Sequence, residues 1–63
     1  MISIVIPTFN EVKNIIPLLK TLINIVIDFK YEIIVVDDDS PDGTSQEVVK
    51  FMKDNKKVKL ITR

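Results

Sequence analysis

Two short β-branched runs, each closed by polar residues, constrain this chain more than any other feature: Ile2 to Ile6 before Pro7, and Glu32-Ile33-Ile34-Val35-Val36 before Asp37-Asp38-Asp39. Runs that are apolar on both faces read as strands of a buried parallel sheet. Parallel neighbours need a crossover, and between them Ile15, Leu18, Leu19, Leu22, Ile23, Val26 and Phe29 recur at helical spacing. Pro17 would break such a helix in its middle, so the spacing predicts a start capped by Asn14, with Pro17 in the first turn. Further on, Ser40-Pro41-Asp42-Gly43 has the pattern of a type I turn, and Thr44-Ser45-Gln46-Glu47 that of a capping box. A second helix then carries Val48, Phe51 and Met52 on one stripe, ends at Asn55-Lys56-Lys57, and leads into a third strand over Val58 to Ile61. The predicted class is α/β, a βαβαβ half of a doubly wound fold. Its three parallel strands run in the order third, second, first, with the first strand on an open edge.

Composition limits what such a unit can do. At 63 residues the chain is at most one small domain, and burial on folding covers only roughly 60% of the unfolded surface. It has neither cysteine nor histidine, which removes disulfides and the soft ligands of a structural zinc site. Nine Lys plus Arg balance nine Asp plus Glu, so no overall basic field attracts nucleic acid. The start lacks a basic n-region and a small-residue cleavage site, and the apolar stretch from Ile15 to Phe29 is broken by Lys20, Asn24 and Asp28. A cytoplasmic location is expected. Because Ile4-Val5-Ile6 would expose an apolar edge, the chain is expected to be the N-terminal piece of something larger.

In open α/β sheets ligands bind beyond the carboxyl ends of the strands, here Pro7-Thr8-Phe9-Asn10-Glu11 and Asp37 to Thr44. A single glycine, Gly43, can form neither the Gly-x-Gly-x-x-Gly turn nor the P-loop, which disfavours hydride transfer and P-loop chemistry. The acids and amides at these ends suit hydrogen bonding to a base or a ribose. Asp38 can accept imino or amino protons of a base, with Glu11 across the crevice. Asp37 reads equally as a ligand group or as a turn acid favouring the positive end of the second helix. Asp39 and Asp42 read as turn residues, Asn10 and Thr44 as caps, Phe51 and Met52 as core, and Lys56, Lys57 and Lys59 as a solvated face.

The segments Ile4-Val5-Ile6-Pro7-Thr8-Phe9-Asn10-Glu11 and Glu32-Ile33-Ile34-Val35-Val36-Asp37-Asp38-Asp39-Ser40-Pro41-Asp42-Gly43-Thr44 resemble the start of the family 2 glycosyltransferases, and within them the dolichyl-phosphate mannose synthases. The resemblance covers essentially the whole chain. It implies that residues 1–63 are an incomplete, N-terminal part of a Rossmann-like GT-A domain that binds a nucleotide sugar, with GDP-mannose as donor and dolichyl or another polyprenyl phosphate as acceptor. By residue-for-residue match, Pro7, Phe9 and Glu11 would line one side of the nucleoside, and Val36 and Asp38 the other. Asp38 would contact the base and Phe9 would offer a flat packing surface; many relatives have tyrosine there, so a hydroxyl contact is missing here. The outer acids of Asp37-Asp38-Asp39 satisfy an Asp-x-Asp pattern, yet the resemblance places the metal-binding acids at the end of a later strand. On that basis the chain holds no catalytic residue and no metal ligand. The complete enzyme would use Mg2+ or Mn2+, and any peripheral membrane contact would come through other regions. Two further readings stay open: a stand-alone nucleotide-binding or interaction module without activity, and a family 2 transferase that uses a UDP-sugar.

Overall fold

A computed structural model describes residues 1–63. The elements follow in the order β1 (Ile2–Thr8), α1 (Ile15–Val26), β2 (Tyr31–Asp37), α2 (Thr44–Met52) and β3 (Val58–Thr62). All strands are parallel in the sheet order β1-β2-β3, with Thr8 opposite Asp37 and Pro7 opposite Val36 in the register. The expected βαβαβ topology and the open edge of β1 are therefore present.

The pleat decides which side chains meet. Ile33, Val35 and Asp37 share one face of β2, and the first two join Ile15 and Leu19 of α1, Val48 of α2 and Val58 of β3 in a single buried cluster. Both helices thus cover the same face of the sheet. Ile4, Ile6, Phe51, Met52 and Leu60 pack around that cluster, half-buried, in line with the core reading of Phe51 and Met52. Lys56, Lys57 and Lys59 are exposed; Lys57 lies 4.6 Å above the Tyr31 ring and Lys59 3.9 Å from Glu32. Contacts of this exposed kind contribute little stability.

Four local expectations are corrected. Helix α1 stops at Val26, and Phe29 is outside it and 58% exposed. The chain must already be extended at Lys30, whose carbonyl accepts from Ile2 N at 2.8 Å. Asn14 does precede α1, with Pro17 in the first turn, but its side chain makes no cap bond. A turn wound on the Glu11 carbonyl, which accepts from Asn14 N and Ile15 N, leads into the helix instead. Asn10 is likewise no cap: it takes a left-handed φ of 56° in the loop after β1. Thr44 is the first residue of α2 rather than its cap, and the capping box does not form, because Glu47 N donates to the Gly43 carbonyl at 3.1 Å. Gly43 stands before the helix at a φ of 91°, a left-handed conformation that costs glycine little. Asp42 does the capping, with Oδ1 accepting from Thr44 N at 3.0 Å. Asp39, at a φ of 53°, is a turn residue as read from the sequence, and aspartate is one of the few residues that tolerates this region.

The face of the sheet away from the helices carries Val5, Ile34, Val36 and Ile61, with Val5 60% and Ile61 53% exposed. Parallel sheets are ordinarily covered on both faces, and an apolar edge strand pairs with whatever strand it meets. The chain is therefore expected to sediment as species heavier than 7.2 kDa at concentrations of about 100 μM, and Val5→Lys to shift it toward monomer. A clean wild-type monomer at that concentration would contradict the exposed edge as an association surface.

Candidate functional site at the carboxyl ends of the strands

Where β1 and β2 end side by side, the buried phase of the pleat continues from apolar to polar residues. Ile4, Ile6 and Thr8 on β1 face the same side as Ile33, Val35 and Asp37 on β2, so Thr8 and Asp37 meet under the loops, both buried. A fully buried carboxylate needs partners. Asp37 accepts from Thr8 Oγ1 at 2.7 Å, Ser40 Oγ at 2.6 Å, Ser40 N at 2.9 Å and Ser45 Oγ at 2.7 Å. Burial pushes its carboxyl pKa up, but these bonds, led by those from the Ser40 hydroxyl and N–H, outweigh that and hold it at about 2. Asp37 thereby ties the end of β1, the turn after β2 and the first turn of α2 into one unit.

A second set of bonds links the two loops. Three successive backbone N–H groups after β1 end on side chains of the loop after β2 and of the first residue of α2: Asn10 N on Ser40 Oγ at 2.9 Å, Glu11 N on Thr44 Oγ1 at 3.1 Å, and Val12 N on Asp42 Oδ2 at 3.2 Å. Consecutive N–H groups of this kind commonly receive an anion. Here the neighbouring loop already fills them, so they offer nothing to a phosphate. The Asp42 carboxyl pKa lies below the usual carboxylate range, chiefly through the bond from the Thr44 hydroxyl, opposed by burial and supported by the N–H groups of Val12 and Thr44.

The residues expected to line a nucleoside are distributed around this brace. Pro7 and Val36 are direct neighbours in the register and lie on the sheet face that no helix covers. Phe9 is 54% exposed, and Asp38 is also exposed, with its N–H held by the Thr8 carbonyl at 3.0 Å. Glu11 is half-buried, and its carboxylate accepts from Asn14 Nδ2 at 3.4 Å. Pro7 and Glu11 share a cleft of about 230 Å³ with Ile6, Thr8, Asn14, Ile15 and Leu18. Phe9, Val36 and Asp38 do not line that cleft. Larger, shallower grooves of about 440 and 360 Å³ lie between the two helices and between α2 and β3, away from these strand ends. The three acids at the end of β2 do not converge with any other to make a group that could hold a cation. With the oxygens of Asp37 turned inward onto four donors, the residues of this chain do not fit a divalent ion.

The sequence reading missed the brace formed by Asp37, Ser40, Asp42 and Thr44. One signal for Asp37 was present in the alternation Ile33, Val35, Asp37, which puts it in phase with the core and Asp38 out of it. Nothing local marked the N–H groups of Asn10 and Glu11 that donate to Ser40 and Thr44, which lie about thirty residues away.

The family model described as Glycosyl transferase family 2 matches residues 3–63. The chain belongs to that family. Among curated relatives, this family 2 chain is 42% identical over 62 residues to a protein named dolichol-phosphate mannosyltransferase from Pyrococcus furiosus, covering 98% of this chain and 17% of that protein. It is 36% identical over 62 residues to an uncharacterized glycosyltransferase from Synechocystis sp., covering 95% of this chain and 20% of the other. The chain thus spans about a fifth of the length of the curated relatives it matches. Its three parallel strands and two helices agree with a Rossmann-like half of a GT-A domain. No helix is long and apolar enough to cross a membrane.

Proposed function

We infer that this family 2 chain forms the donor-nucleotide side of an inverting glycosyltransferase that moves mannose from GDP-mannose to dolichyl or a related polyprenyl phosphate at the cytoplasmic face of a membrane. The observation that carries the reading is the adjacency of the two strand ends, which sets Pro7 beside Val36 with exposed Phe9 and Asp38 just beyond them. In this role Phe9 packs on the flat face of the nucleoside, Pro7 and Val36 shape the floor, and Glu11 bounds the far side. The two oxygens of Asp38 accept the imino and amino protons of guanine, a pairing that uracil, with a single imino donor, only half reproduces. The N–H groups of the β1 loop are occupied by side chains, so the diphosphate is held by groups outside these residues, as are the ligands of a magnesium or manganese ion. The name of the Pyrococcus relative supports the choice of mannose and of a dolichol phosphate acceptor.

Calorimetric titration with GDP and with UDP tests the reading. The chain is expected to prefer GDP, and Asp38→Asn to raise the GDP dissociation constant about tenfold, the loss of one charge-assisted hydrogen bond. Unchanged affinity would remove Asp38 from the site, while a preference for UDP would replace the donor with a UDP-sugar.

A further inference from the structure

The bonds that hold the β1 loop have a direction, and two carboxylates impose it. An ionised carboxylate only accepts. The single proton of the Ser40 hydroxyl is committed to Asp37 Oδ1, and that of the Thr44 hydroxyl to Asp42 Oδ1. Each hydroxyl is left with its lone pairs, which receive Asn10 N–H and Glu11 N–H respectively. Thr44 is fully buried and presents no surface to a ligand, so anything it does for binding passes through Glu11. Its hydroxyl is also dispensable as a helix cap, because Asp42 Oδ1 takes the N–H of residue 44 directly.

We propose that Thr44, oriented by Asp42, is a positioning residue for nucleotide binding, fixing the backbone at Glu11 so that the Glu11 carboxylate and the neighbouring Phe9 ring stand where the nucleoside is received. The proposal rests on the nucleotide-binding reading given above. Asn10, next to Glu11, sits at a left-handed φ of 56°, a region that asparagine tolerates at little cost, so the bonds to Ser40 and Thr44 act as restraints on where the loop stands rather than as relief of strain. The Thr44 hydroxyl supplies one of those restraints at the residue whose side chain borders the site. A contribution to folding alone would leave affinity unaltered in whatever fraction of the chain is folded.

The test compares Thr44→Val, which keeps the branched shape and the Asp42 cap but removes the hydroxyl, with Thr44→Ser, which restores the hydroxyl without the methyl. The full chain is titrated with GDP while backbone amide resonances are followed, and the exchange rate of the Glu11 amide is measured alongside. Thr44→Val is expected to weaken GDP binding about tenfold and to speed Glu11 amide exchange, and Thr44→Ser to return both to within about twofold of wild type. Thr44→Val binding like wild type overturns the proposal. So does Thr44→Ser losing as much as Thr44→Val, since packing of the methyl group would then be responsible. Asp42→Ala, at an exposed position, removes the acceptor of the Thr44 hydroxyl together with that of Val12 N–H and is expected to weaken binding several-fold, and unchanged affinity overturns the role of Asp42. If wild type binds neither GDP nor UDP, the nucleotide reading itself fails and this proposal falls with it, a result distinct from a wild type that binds and a Thr44→Val that binds equally well.

Discussion

Asp37→Ala is expected to cost this chain about 4 kcal/mol of stability, because hydrogen bonds to a charged acceptor contribute more than neutral ones and four donors lose theirs together. Thr8 Oγ1 and the Ser40 and Ser45 groups face a carboxylate with no exposed surface, so alanine leaves them around a hole lined by polar atoms. A domain of this size has on the order of 3–9 kcal/mol in total. The variant should be largely unfolded near room temperature or should melt at low urea. Asp38→Ala, one residue on and exposed, should stay within about 0.5 kcal/mol of wild type. Equal urea midpoints for the two variants would show that the buried carboxylate is not the centre of the loop structure.

Stability should also fall in acid, and the same carboxylate sets where. The Asp37 pKa drops from an ordinary 3.8 to about 2 on folding, so between those values the unfolded chain binds more protons than the folded one. Stability therefore decreases as the pH falls through that window, and it is fully present above the unfolded value. Protonating Asp37 alone removes about 2 kcal/mol. Asp42, also lowered, contributes with the same sign. Urea midpoints measured from pH 7 down to about pH 2 should be level above pH 5 and fall steeply below 4. Asp37→Asn should begin less stable and lose less on acidification, and an acid loss as steep as that of wild type would assign the effect to other carboxylates.

The three acids after Val36 differ in depth. Asp37 is structural because the pleat turns it inward beside Thr8, Asp38 is available to a ligand because it lies past the end of the strand, and Asp39 serves the turn through its left-handed backbone. The loop that follows is organised the same way, with Asp42 and the buried Thr44 acting on the segment after β1 rather than on solvent. A phosphate cradle at these strand ends would need free N–H groups, and the loop after β1 has committed its own.

The sequence by itself determined the elements, their order and the family, since β-branched runs, helical spacing and the Ser-Pro-Asp-Gly-Thr turn are all local patterns that short-range sterics and burial read directly. It placed Pro17 correctly in the first turn of α1, because a proline tolerates few other positions in a helix. Ends of elements were less legible. Phe29 continued the apolar spacing but was taken from the helix by the pairing of Lys30 with Ile2, a contact between residues distant in sequence. Thr44 matched a capping box, yet its hydroxyl was claimed by Asp42 and Glu11, and the Gly43 carbonyl served Glu47 instead. Only the tertiary structure decided which acid faces inward and which hydroxyl holds which loop, because those choices depend on the phase of the pleat against the helices and on partners some thirty residues apart, brought together when β1 and β2 pair.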